Sequence, residues 1–251
     1  MRVPGSVIVI TGAASGIGRA TAVALHRKGG VVVGVDRDAS ALADLAGETG
    51  CLVIDVDIRD TGHGEHVVAE TLAKHGRIDG VVANAGAGYV GAFAEMPVEV
   101  ISSLLDLNLR GPMLLARAAL PHMLRNGSPA ALVLTTSIGG AVPVPREAAY
   151  GVSKTALESF ADAVREELRG TNVAVSTVRP GVVKTAFHDN RNEPYDRSIP
   201  RPVAPEKVAD VIVNLIETGR ERQTVPGWLE VAPIARRRWP WLFRPLWRRF
   251  G

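Results

Sequence analysis

Six short runs of Val, Ile and Leu recur along the chain, each followed by a longer stretch with helical spacing. That alternation leaves few architectures open. The runs are Val7–Thr11, Val31–Asp36, Leu52–Val56, Gly80–Asn84, Ala131–Thr136 and Val173–Arg179. They are short, continuous and rich in Val, Ile or Leu rather than apolar at every second residue, as strands covered on both faces should be. The helical stretches are 16–29, 38–48, 62–76, 97–125 with a break near Gly111-Pro112, and 147–169. Another, at 205–219, opens on Pro205, a residue suited to the first helical position. Repeated β-α units with buried strands predict an α/β fold, a doubly wound parallel sheet with helices on both faces.

The chain has 251 residues, 46% of them hydrophobic, enough for one sizeable core. We expect one domain over 1–234, a polar, proline-bearing lid at 186–204, and a separate tail at 235–251. Cys51 is the only cysteine, so no internal disulfide can form and a reducing compartment is the natural home. The N-terminal residues lack the features of a signal peptide, and no run is long enough to span a bilayer. These features predict a cytoplasmic protein. The net charge of +3 is uneven: Arg236, Arg237, Arg238, Arg244, Arg248 and Arg249 stand in a tail without acids, and subtracting those six leaves residues 1–235 at −3. A nucleic-acid-binding body is not expected on that balance. None of the six histidines has metal-ligand spacing with a second ligand, and no metal is assigned.

Between the first strand and the first helix lies Thr11-Gly12-Ala13-Ala14-Ser15-Gly16-Ile17-Gly18. Glycines at this spacing let backbone approach a pyrophosphate, and the N–H groups of the helix start face its charge. Asp36 closes the second strand about twenty residues on, where a carboxylate accepts hydrogen bonds from the adenosine ribose and repels a 2′-phosphate. Arg37 argues the other way, since a guanidinium binds that phosphate. NAD is the expected cofactor, with NADP the alternative. An ordinary glycine-rich turn is the plainer reading of the glycines alone.

Farther along, Tyr150-Gly151-Val152-Ser153-Lys154 lies in a helical stretch, with Ser137 at the end of the fifth apolar run. Residues four apart share a helix face, so the Lys154 ammonium can favour the Tyr150 phenolate. A phenol otherwise titrates near 10, too high for acid–base work at neutral pH. Ser137 is suited to hydrogen-bond the oxygen of an alcohol or ketone.

These segments together resemble the short-chain dehydrogenase/reductase family in its compact form, over roughly residues 5–226. Thr11 to Gly18, with Gly12, Ser15, Gly16, Ile17 and Gly18, resembles its glycine motif. Asp57-Ile58-Arg59-Asp60 resembles the segment that contacts the adenine. Asn84-Ala85-Gly86 is similar to the motif that ends the fourth strand beside the cofactor. Asn108, Ser137, Tyr150 and Lys154 match a catalytic tetrad. Pro180-Gly181-Val182-Val183-Lys184-Thr185 resembles the loop whose Val183 and Thr185 hold the nicotinamide carboxamide.

The resemblance implies a Rossmann-like fold and a reaction in which Tyr150 takes the hydroxyl proton of a secondary alcohol as hydride passes to the nicotinamide. It also implies a water held by Asn108 that links Lys154 to solvent, and a homo-oligomer, dimer or tetramer, packed through the helices at 97–125 and 147–169. Residues 87–93, 138–144 and the lid at 186–204 would line the substrate pocket. The small or apolar residues from Gly139 to Val144 suggest a hydrophobic alcohol, lipid-, steroid- or retinoid-like. An NADPH-dependent ketone or 3-oxoacyl reductase is the alternative within enzymes. A dinucleotide-sensing or scaffold protein is the alternative outside them.

In the tail, Trp239, Trp241, Phe243, Trp247 and Phe250 are interleaved with the six arginines. Indole at headgroup depth and guanidinium on lipid phosphate suit the inner membrane surface. Packing on another subunit, or over the protein's own site, would use the same residues. Pro240 and Pro245 argue for two short helical pieces rather than one.

Overall fold

A computed structural model of the protein describes residues 1–195, 200–241 and 243. Seven strands, β1 Val7–Thr11, β2 Val31–Asp36, β3 Leu52–Asp55, β4 Gly80–Ala83, β5 Ala130–Thr135, β6 Val173–Pro180 and β7 Arg222–Val225, form one sheet. Every pairing is parallel and the order is β3-β2-β1-β4-β5-β6-β7. The helices are α1 Gly16–Arg27, α2 Ala39–Thr49, α3 His63–His75, α4 Val98–Leu105, α5 Gly111–Arg125, α6 Ile138–Ala141, α7 Ala148–Glu167, α8 Pro205–Thr218 and α9 Val231–Arg238.

Strand period decides which residues feed which core. Val7, Val9, Val81, Leu132 and Leu134 point to one side, where α3, α5 and α7 pack. Ile8, Ile10, Val82, Ala131 and Val133 point to the other, against α1, α2 and α8. Both faces are covered, which is why the strands read as continuous apolar runs.

Six strands fall where the hydrophobic runs placed them, with ends moved by one residue at most. β7 was not anticipated. Arg222-Gln223-Thr224-Val225 is a short edge strand that, among the described residues, pairs with β6 alone, and three of its four residues are polar. The break expected at Gly111-Pro112 is a π-helical turn, Asp106–Arg110, and the chain stays helical from α4 through α5. Pro112 has no N–H for the carbonyl four residues back, on Asn108, which favours a wider turn there.

α9 runs across residue 234, where the domain was expected to give way to the tail. Part of the lid, residues 196–199, lies outside the described residues. So do Leu242 and residues 244–251, with Arg244, Pro245, Trp247, Arg248, Arg249 and Phe250. Among the described residues no helix is long and apolar enough to cross a membrane.

Candidate active site

The strand order reverses between β1 and β4, and the crevice at their carboxyl ends is where a sheet of this kind receives a ligand. A cavity of about 1190 Å³ opens there. The glycine turn forms one wall. A Cβ on Gly18 would stand 1.9 Å from the Gly12 carbonyl oxygen, and one on Gly12, at φ 69°, 2.9 Å from the Ala85 Cα. Gly16, at φ 52°, meets the Thr185 side chain at 3.0 Å. No side chain fits at the first two positions, so bare backbone faces the crevice. α1 begins at Gly16 with Ser15 as its N-cap, presenting its free N–H groups to the same space.

Gly12, Ser15, Gly16, Ile17, Asp36, Arg37, Asp57, Ile58, Asn84, Ala85 and Gly86 all line the cavity. Gly18 does not; it is buried under the turn and permits it. The Asp36 carboxylate accepts N–H groups from Ala14 at 3.1 Å, Arg37 at 2.8 Å and Asp38 at 3.2 Å, which fixes it above the turn. The Arg37 guanidinium reaches toward Asp57, at 3.9 Å. Arg59 holds Asp57 more closely, its Nε 3.0 Å from both carboxylate oxygens, and keeps that carboxyl below its ordinary range. Asn84 fastens three strands: its Nδ2 donates to the Thr11 carbonyl at 3.2 Å, and its Oδ1 accepts from the Thr135 hydroxyl at 3.4 Å.

The other wall carries the Tyr-x-x-x-Lys pair. Tyr150 and Lys154 are both buried on α7, and Ser137 is the N-cap of α6, its Oγ accepting from the Gly139 N–H at 3.1 Å. Lys154 Nζ donates to the Thr135 carbonyl at 3.0 Å, at the end of β5. Asn108, fully buried in the π turn, accepts from the Ala87 N–H at 3.0 Å and donates to the Ala87 carbonyl at 2.9 Å and to Ser153 Oγ at 3.1 Å. Gly86 fits between the two groups: a Cβ there would lie 2.9 Å from Asn108 Oδ1 and 3.1 Å from Lys154 Nζ. Asn108 thus stands behind the cavity wall, whereas Ser137, Tyr150, Lys154, Pro180, Gly181, Val183 and Thr185 line it.

The electrostatics differ from the sequence expectation. Burial pushes the Tyr150 phenol up to about 12; a hydrogen bond with Ser137 and the charge of Arg191 oppose this, and the Glu147 carboxylate adds to it. Burial also brings the Lys154 ammonium down to about 8. In the protein without ligand, desolvation outweighs the help Lys154 was expected to give the phenolate.

The substrate side is less apolar than the run from Gly139 to Val144 implied. Ala87, Gly88, Val90, Ile138, Gly139, Val142 and Val144 line the cavity, but Phe93, Gly140 and Ala141 do not. Phe187 packs on Tyr150 with ring centroids 5.7 Å apart and planes tilted by 54°, and His188 meets Phe187 edge-on at 5.3 Å. Beyond them stand two ion pairs that sequence reasoning missed. Arg191 donates to Glu147 at 2.7 Å, with both side chains largely buried, and Arg146 meets Glu193 at 2.6 Å nearer the surface. Residues 44 or more apart in the chain make these pairs, and nothing in the local pattern signals them. Trp228 and Leu229, from the 3-10 turn before α9, complete the rim.

Residues 6–196 match the short chain dehydrogenase family. A probable oxidoreductase, EphD, of Mycobacterium tuberculosis is 32% identical over 84% of this chain, which spans 39% of that relative's length. The 3-ketodihydrosphingosine reductase of Bacteroides thetaiotaomicron is 33% identical over 74% of the chain and 67% of its own length. Among solved structures, a short chain dehydrogenase/reductase from Burkholderia phymatum in complex with NAD superposes with a TM-score of 0.87, at 25% identity over 94% of each chain.

Proposed function

The chain belongs to the short-chain dehydrogenase family, and from that premise we propose that it interconverts an apolar secondary alcohol and its ketone with NAD(H). The observation that carries this reading is the single cavity wall on which Ser137, Tyr150 and Lys154 meet, opposite a glycine turn too tight for side chains. A nicotinamide dinucleotide supplies the hydride acceptor. The bare backbone of Gly12 and Gly16, the start of α1 and the Asp36 carboxylate fit its pyrophosphate and ribose.

Ser137 orients the substrate oxygen, and Tyr150 removes the hydroxyl proton on oxidation or returns it on reduction. A phenol near 12 is a weak base precursor, so the phenolate needs positive charge added to the site. A bound oxidised nicotinamide and the Lys154 ammonium are its sources. Asn108, bonded to Ala87 and Ser153, fixes the α7 turn that carries Tyr150, since Ser153 Oγ also donates to the Tyr150 carbonyl at 2.7 Å.

Asp36 favours NAD over NADP. Arg37, on the same cavity edge, is the observation that supports the second reading, an NADPH-dependent ketone or 3-oxoacyl reductase. Fluorescence titration with NADH and NADPH separates the two. We expect NADH to bind at least about tenfold tighter, about 1.4 kcal/mol; tighter NADPH binding would overturn the NAD assignment. We also propose a cytoplasmic homo-oligomer, dimer or tetramer, packed through α4, α5 and α7, and lipid contact through the tail; sedimentation velocity tests the assembly.

A further inference from the structure

α9 has two faces with different tasks. Ala232 lines the cavity, and Arg236, one turn on, donates from Nη1 to the Ala141 carbonyl at 2.8 Å, closing the rim against α6. Val231, Ile234 and Arg238, spaced three and four apart, fall on the outer side. Trp228 precedes them and Trp239 and Trp241 follow. These five large apolar side chains are 49% to 69% exposed. So many within one short stretch exceed the scattered exposure normal for a solvated surface.

The charge around them has one sign. Residues 231–251 hold six arginines and no acid. The acidic residue next to that segment in the chain, Glu230, is engaged by Arg179 and by the Thr224 hydroxyl. A two-fold contact between copies through this face would bring Arg237 and Arg238 toward their own duplicates. A bilayer with anionic headgroups has no such conflict: it accepts indole at headgroup depth and pairs guanidinium with phosphate.

We propose that the outer face of residues 228–241 docks on an anionic lipid surface and sets the mouth of the cavity against the bilayer. Trp228 belongs to both places, since it lines the cavity and is itself largely exposed. An alcohol dissolved in the membrane then reaches Tyr150 without passing through water. The identity of what enters rests on the apolar-alcohol reading; the docking does not.

The test uses the full chain, with Val231→Glu/Ile234→Glu as the variant, because both side chains are exposed and neither touches the cavity. Binding is measured by co-sedimentation with phosphatidylcholine vesicles, with and without phosphatidylglycerol, at low and high salt. The wild type should bind the anionic vesicles at least about tenfold more strongly than the neutral ones, and less so as salt rises. The variant should lose that binding, keep its rate on a short water-soluble secondary alcohol, and lose rate on a long-chain alcohol presented in vesicles. Absence of vesicle binding by the wild type, or equal binding by wild type and variant, overturns the proposal. So does a wild-type dimer that the variant breaks while vesicle binding is absent, since the face would then be covered by a second copy. If vesicle binding follows expectation but neither alcohol reacts, the docking stands and the substrate reading fails.

Discussion

The two walls of the cavity are held in different ways. On the dinucleotide side, backbone meets backbone: a Cβ on Gly18 or Gly12 would overlap main-chain atoms, so the turn has one shape. On the substrate side, the segment after β6 is held by side chains, through Arg191 on Glu147, Arg146 on Glu193, and the rings of Phe187 and His188. A wall made of backbone tolerates no substitution and keeps one ligand shape. A wall made of ion pairs can be rewritten by single substitutions, so specificity is free to change there while the cofactor stays constant.

The largest expected effect lies where the walls meet. Tyr150→Phe keeps the ring that packs on Phe187 and removes the proton donor, so turnover should fall by about 10²- to 10⁴-fold. NADH affinity, measured by the same titration, should stay near wild type. Turnover close to wild type would remove Tyr150 from the reaction.

Next comes the ion pair that holds the substrate wall. Arg191→Met removes the guanidinium that pairs with the largely buried Glu147 carboxylate, at a stability cost of about 3–5 kcal/mol by denaturant unfolding. The double variant Arg191→Met/Glu147→Gln should recover much of that. The pair also acts on Tyr150, with Glu147 raising the phenol and Arg191 lowering it. The rising limb of the oxidation rate should therefore move to higher pH in Arg191→Met and to lower pH in Glu147→Gln. A limb that stays fixed in both would make the pair purely a brace.

On the backbone wall, Gly18→Ala and Gly47→Ala sharpen the contrast. The Gly18 Cβ would stand 1.9 Å from the Gly12 oxygen, whereas the Gly47 Cβ, on α2, meets nothing within 4 Å. The first should cost toward the upper end of about 1–3 kcal/mol and weaken dinucleotide binding. The second should stabilise by up to about 1 kcal/mol, as alanine does within a helix. Equal melting temperatures for the two would break the comparison.

The same division explains what could be read in advance. Strand runs and the glycine turn depend on neighbours in sequence, through burial on both faces and backbone sterics, and β1 and β2 span the runs read from the sequence, Val7–Thr11 and Val31–Asp36. Asp36 and the Tyr150–Lys154 pair were legible because chain spacing fixes their placement. Arg191 with Glu147, and His188 beside Phe187, become adjacent only after folding. β7 was missed because an edge strand needs no continuous apolar run. In the protein without ligand the Tyr150 phenol is raised rather than lowered for a related reason: helix spacing gives the distance to a charge but not the depth of burial, and burial is the largest cause there.

The smallest effect belongs to His188. Its Nδ1 is buried with no hydrogen-bond partner among the described residues, and burial, helped by the charge of Arg191 and opposed by Asp189, lowers its pKa to about 4. An unfolded imidazole titrates near 6.5. Between those values the unfolded chain binds a proton that the native protein refuses. Stability should therefore rise with pH across that window and show no further contribution from His188 above it. His75 and His122 are also lowered, but they are present in wild type and variant alike, so a difference between the two isolates His188. Urea unfolding of His188→Asn from about pH 4 to pH 7 should give a flatter slope than wild type. An unchanged slope would mean that the ring is solvated in the native state, and the substrate wall would then be looser than its side-chain contacts imply.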